Sequence, residues 1–425
     1  MGINLVMSKI NFRDYLPNAL RDPKIDARTH TQTRMRGERP QGLFKTWRGL
    51  FSNPFLGLTT DGQLKRDLFS IKPEGAPNSN AIRAVEELLA VLTPNQKAEM
   101  HFEIASENWR NWQNTELFVE THGLRLDEQP VELRESVMAV VRASMSARGF
   151  EMSRDVMRLN GFLGELIGTP LVLGEWTYIF CLFGHPSMDQ PWGWQLFGHH
   201  LCLNCFFLGD QMVLTPAFMG AEPSYGDEGS FLGLKLFEDE EREGLALMRS
   251  LPEEQKIAAT VAHSMMGGDL PRDRRHFADN LHLGGAFQDN RIVPYEGLAA
   301  DMLTRLQQRR LLDLIEAYLI TLPAGPRTAR MTAIEKHIRD THFCWIGGTE
   351  EHSPFYYRIQ SPVTFIEFDH HTGVFLTNKE PAKFHVHTIV RTPNGNDYGI
   401  DLLKLHYKNA SHHKVIGKSY NIGCD

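Results

Sequence analysis

Apolar residues recur at helical spacing from Asn80 to about Gly168, in AIRAVEELLAVL, in TPNQKAEMHFEI with Thr93 and Pro94 as a start signal, in PVELRESVMAVVRASMSARG and in SRDVMRLNGFLGELIG. The period then shortens. EWTYIFCLFG, PWGWQLFGHHLCLNCFFLG and QMVLTPAFMG are short, aromatic and β-branched runs cut by Pro, Gly and Asp, which predicts strands. A second helical block comes next in EDEEREGLALMRSL, PEEQKIAATVAHSM, YEGLAADMLTRLQQRRLLDLIEAYLITL and TARMTAIEKHIRDT, and strand-like runs return in HFCWIGG, PFYYRIQ, VTFIEFDHH and KFHVHTIVRT. Helices, strands, helices, strands without βαβ alternation predict an α+β fold. Its largely antiparallel sheet is built from two distant strand segments, about 170–220 and 340–395, and covered by the two helical blocks. Residues 1–80 show little periodicity and read as an irregular N-terminal arm, 81–410 as a single α+β catalytic domain and 411–425 as a C-terminal tail.

The 425-residue length leaves ample apolar surface for a core, and 42% hydrophobic with 23% charged residues is an ordinary globular balance. A formal charge of −7 offers no basic field for phosphates, so nucleic acid and anionic membrane are poor partners and a small-molecule substrate is the better expectation. Five cysteines at irregular spacing make no disulfide framework. With no signal-peptide pattern and no apolar run of 18 residues, a cytoplasmic protein is expected. Oligomeric state leaves no mark on the sequence.

The strongest chemical signal is His385-Val386-His387. On a strand, residues two apart share a face, so both imidazoles project together with Ile389 and Arg391. The preceding strand places Phe365, Glu367 and Asp369 on one face, and pairing in a suitable register would bring Glu367 beside the histidines as a two-His, one-carboxylate metal set. The alternative is a solvated pair on an edge strand. A second signal is the adjacent pair His199-His200 inside an aromatic run. Strand parity groups His200 with Trp194, Cys202 and Asn204, which favours His200 over His199 as fourth ligand or catalytic base unless a bulge at Gly198 reverses the two. A hydrogen-bonded core histidine competes with that role. Glu222, after a strand-like run and before a Pro turn, is a candidate acid, base or ligand, or else a turn stabiliser. Arg391 and Arg358 could hold a substrate carboxylate, although a plain surface ion pair suits Arg358 better. Trp192, Trp194 and Tyr357 would wall such a pocket, with His199 and Asn204 beside them. His370-His371 reads as an exposed turn. Cys202 and Cys205 have CxxC spacing, but their sulfurs would face opposite sides of a strand, so a zinc ribbon is not expected.

In WGWQLFGHHLCLN, FMGAEP, DNRIVPYEG, CWIGG, PFYYRIQSPVTFIEFDHHTG and FHVHTIVRTPNGNDYG, over roughly residues 80–410, the chain resembles the family catalogued as domain of unknown function thirty-five hundred, found in bacteria and fungi. The resemblance implies no settled reaction. It does imply that the His199-His200 string, Glu222, Glu367 and the His385-x-His387 string lie within the family's motifs. The residues themselves suggest a metal-dependent enzyme that performs hydrolysis or C–C/C–O cleavage on a small polar substrate, anionic if Arg391 steers it. It would use a divalent ion, zinc first and iron or manganese next, on His385, His387, Glu367 and His200. The same ligands would also serve a non-haem Fe(II) oxygenase, and a non-catalytic binding protein is the reading from another class.

Overall fold

The computed structural model describes residues 11–19, 22–119, 122–271, 274–276 and 279–409; the 411–425 tail and Cys424 lie outside the described residues. The strands are β1 (His101–Phe102), β2 (Leu124–Arg125), β3 (Tyr178–Phe183), β4 (Trp192–Gly198), β5 (Leu201–Leu208), β6 (Gln211–Ala221), β7 (Thr260–Ala262), β8 (Leu298–Ala299), β9 (His342–Gly347), β10 (Phe355–Gln360), β11 (Phe365–His371) and β12 (Ala382–Arg391). They form one sheet in the order β1-β3-β4-β5-β6-β12-β11-β10-β9-β7, with β2 also on β3 and β8 also on β9. Only the short β1 and β7 pair in parallel. The fold is therefore α+β with a mostly antiparallel sheet, as the order of periodicities predicts.

Among the described residues the two strand segments meet at a single seam, β6 against β12, where Ala221 faces Val386, Gly220 faces His387 and Phe218 faces Ile389. Alternation then divides the sheet chemically. Val386 and Val390 join Phe180, Trp194, Tyr357 and Phe368 in the main apolar cluster, which the helices Asn78–Val91, Val131–Ser144, Ala147–Ile167, Glu238–Ser250 and Arg305–Leu319 complete. Both helical blocks thus cover the same face. The opposite face, with Ile179, Phe197, Phe218 and Ile389, is closed by Trp109, Trp112, Phe287 and the N-terminal residues Leu43, Phe44 and Trp47.

The arm is accordingly not irregular throughout. Ala27–Arg34 and Glu38–Phe51 are helices. Pro40 lies in the first turn of the second one, where a missing N–H costs nothing, so it does not break the apolar spacing of Leu43, Phe44 and Trp47. Trp47 stacks on Phe287 with ring centroids 5.1 Å apart.

Arg391 ties the loops of this second face to the sheet. It is fully buried; its Nε donates to Gly284 O at 2.7 Å and its Nη2 to Gly285 O at 3.0 Å, while Nη1 donates to Asp289 Oδ1 at 2.9 Å and Asp397 Oδ2 at 3.0 Å. Arg391 therefore has no edge left for a substrate, and its expected steering role is replaced by a structural one. Arg391→Met should lower unfolding free energy by about 3–5 kcal/mol, because it leaves the buried Asp397 carboxylate without its cation and Asp289 with Arg110 alone. Urea denaturation checks this, and a loss under about 1 kcal/mol would contradict it.

Candidate metal centre

His385 and His387 leave β12 on the face away from the main helical layer, and their Nε2 atoms lie 3.2 Å apart. The third imidazole comes from across the seam. His199 and His200 form the two-residue turn that joins β4 to β5, rather than lying on a strand. Strand alternation therefore does not govern His200, although His200 is the member of the pair that reaches the site. Its φ of 64° places it in the left-handed region, where a side chain is unusual. The turn is pinned there by Gly220, whose amide donates to His200 O at 2.7 Å. Gly220 also makes the room: a Cβ on it would stand 2.8 Å from His387 Cδ2 and 3.1 Å from His200 Cδ2.

Among the described residues, His200, His385 and His387 form a group whose donor atoms all lie within 4.8 Å of one another, and each residue is at most 4% exposed. Two nitrogens held at 2.0–2.1 Å by one tetrahedral ion stand about 3.3 Å apart, so the 3.2 Å separation of His385 and His387 already has ligand spacing. The donor set fits a metal ion. Burial holds all three rings well below the ordinary histidine pKa, and neighbouring imidazoles add to the effect. The lone pairs are thus available at neutral pH, as ligation requires.

Around the triad stand further buried polar groups. Glu222 accepts the amides of Val374, Phe375 and Leu376 at 2.9–3.3 Å, and its Oε1 lies 3.6 Å from His385 Nδ1, on the far side of the ring from His387. It backs His385 and secures a turn, instead of facing the centre. His371 packs its ring 4.6 and 4.3 Å from those of His385 and His387, and its Nδ1 bonds Thr372 O at 2.7 Å. His370 and His371 are thus buried at the end of β11, contrary to the exposed turn expected. Asp369 lies directly across from His387, and His282 Nε2 approaches Asp369 Oδ1 to 3.5 Å. Burial, reinforced by the charge of Glu367, pushes the Asp369 carboxyl well above its usual range.

Other expected residues fall elsewhere. Glu367 shares the face and the neighbouring strand as predicted, but stands opposite Ile389. Its oxygens accept Leu283 N, Gly284 N and Tyr356 Oη at 2.7–2.9 Å, so they are engaged away from the three imidazoles. Trp192, Trp194 and Tyr357 point into the helical layer, with Trp192 Nε1 bound to Asn78 and Trp194 Nε1 to Ser144, so the sheet separates them from the histidines. A cavity of about 120 Å³ also lies in that layer, lined by Met212, Leu214, Met219 and Arg330. Asn204 is occupied by Gln195 and Pro216 O. His199 stacks on His200 with centroids 3.8 Å apart and bonds Asn160 Oδ1 at 2.7 Å, a supporting position. Arg358 Nη2 pairs with Glu296 at 2.8 Å. Cys202 and Cys205 face opposite sides of β5, as expected.

His282 is the neighbour of the centre that no sequence pattern signals. It sits in DNLHLGGAF outside any strand or helix that the periodicity predicts, and only the packing of its loop on the sheet brings it to Asp369.

Residues 74–400 match the model of the family described as "Protein of unknown function (DUF3500)". No curated protein and no solved structure matches the chain. Among the described residues, no helix is long and apolar enough to cross a membrane.

The depressed imidazole pKa values set the pH response of metal binding. Three histidines of ordinary pKa, near 6.5, would lose about a thousandfold in affinity between about pH 7.5 and 5.5, since protons compete at each. Here folded-state protonation begins well below that value, so zinc affinity should change far less over the same interval. Chelator competition at the two pH values measures it.

Proposed function

The chain belongs to this family of unknown function, and from that premise we propose that it is a metal-dependent enzyme that hydrolyses a small polar organic substrate or cleaves a C–C or C–O bond in it. The observation that carries this reading is the convergence of three buried, neutral imidazoles, two of them at ligand spacing. An all-imidazole set suits zinc best and iron next, and manganese, which prefers carboxylate and water, least. Zinc on three protein ligands supplies a position where water or a carbonyl can be activated.

The protein's own residues would then divide the work. Glu222 stands behind His385 with its Oε1 3.6 Å from Nδ1, and Gly220 leaves His200 and His387 room to stand close. Asp369, whose protonated form burial favours, and His282 stand beside His387, placed to exchange a proton with a group bound at the centre. The facial-triad oxygenase reading loses support because Glu367 is bound elsewhere.

Complete burial of the three rings favours one other reading, in which a bound ion stabilises or recognises without turnover. Elemental analysis of tag-free protein tests both. One equivalent of zinc is expected, lost in His387→Ala while the far-UV spectrum stays native, because a core of this size does not depend on a metal staple. Absence of metal from wild-type protein, even after reconstitution, would remove the proposal. In cobalt-substituted protein, azide should perturb the visible bands if a coordination position is open. An unresponsive spectrum would favour the non-catalytic ion.

A further inference from the structure

The segment that leads into His282 carries an arginine whose best donors have nothing to hold. The Arg274 side chain is 4% exposed and its Nη1 donates to Leu281 O at 3.1 Å, yet among the described residues Nε and Nη2 make no hydrogen bond. Glu296 Oε2 is 3.9 Å from Arg274 Nη2 and is already engaged by Arg358 Nη2 at 2.8 Å. Arg358, with its side chain 1% exposed, likewise leaves Nη1 without a partner among the described residues. Two buried guanidiniums therefore share one carboxylate and hold three nitrogens unused. Buried donors are rarely left so, because each forfeits its bonds to water. Nε and Nη2 are moreover the edge of the guanidinium that matches a carboxylate bidentately.

Their position gives these donors a direction. The Arg274 guanidinium lies 4.8 Å over the ring of Tyr356. Tyr356 is directly across from Asp369, Asp369 from His387 and His387 from Gly220, so one row across four strands runs from the arginine to the triad. At 4.7–4.9 Å per strand, the backbones of Tyr356 and His387 are roughly 10 Å apart, with His282 and Asp369 between. Among the described residues, Glu367 and Glu296 are the acids in contact range of this pair, and both are tied by hydrogen bonds.

We propose that Arg274, assisted by Arg358, anchors a carboxylate of the substrate, which makes the substrate class a small organic acid whose other end extends past Asp369 and His282 toward the triad. The direction toward the triad rests on its reading as a metal centre. The anion site itself does not.

Glutarate serves as the probe and glutaramide as its uncharged counterpart, titrated calorimetrically and by thermal shift into the full chain, with metal loaded and with metal stripped. Glutarate should bind saturably in both states and glutaramide should not. Arg274→Met should weaken glutarate binding about tenfold or more, the loss expected for hydrogen bonds to a charged group, while keeping a cooperative melt. Arg274→Lys retains the charge without the fork and should lose as much, so it decides the matter if the Met variant does not fold. Absence of glutarate binding, equal binding of glutaramide, or unchanged affinity in the arginine variants would overturn the proposal and leave the unused donors to buried water. Glutarate binding that vanishes on metal removal but ignores Arg274 would overturn it while sparing the metal reading. Binding that depends on Arg274 in a protein that takes up no metal would spare this site and remove the metal centre.

Discussion

The pairing of β6 with β12 is the constraint on which the rest of the molecule depends. Among the described residues it is the only place where strands from the early and late segments hydrogen-bond, and it sets Gly220 against His387. A one-residue slip in this register would turn the histidines of β12 into the helical layer and Val386 and Val390 out of it. The apolar cluster that forms on one face therefore fixes what is presented on the other. Gly220 adds a steric condition, since any side chain there would push against both His200 and His387.

The second face is unusual in how many charged groups it buries, and hydrogen bonding rather than exposure makes this tolerable. Arg391 satisfies four acceptors from the 284–289 and 397 segments, Glu367 takes two backbone amides and a tyrosine hydroxyl, and Glu222 takes three amides. These side chains fasten irregular segments to the sheet where no helix supplies its own backbone pairing. The same desolvation keeps the three imidazoles uncharged. Structural tethering and poised ligand chemistry thus come from one physical condition, a face sealed from water.

Expectations from the sequence hold or fail according to how local their causes are. His385 and His387 share a face because a strand alternates, which needs no tertiary information, and the pairing of β11 with β12 follows from adjacency. Trp192, Trp194 and Tyr357 suggest a pocket wall through apolar character alone. Apolar character marks a buried residue without saying to which side of a two-faced sheet it belongs, and all three face the helices. The strand parity that singles out His200 is one that its turn does not obey. Glu367 and Arg391 occupy the expected face, but hydrogen bonds from a loop more than 80 residues away in sequence engage both.

The sequence by itself determined the α+β class, the two-segment sheet and the His385-x-His387 projection, because each follows from periodicities that neighbouring residues impose on one another. Tertiary structure decided which carboxylates remain near the centre, that His200 rather than His199 completes the triad, and that Asp369, His282 and Arg274 line up beside it. Those outcomes depend on register across the β6–β12 seam and on where Arg274 and the 279–293 segment dock. Both are set by packing between residues far apart in the chain, for which no local pattern exists.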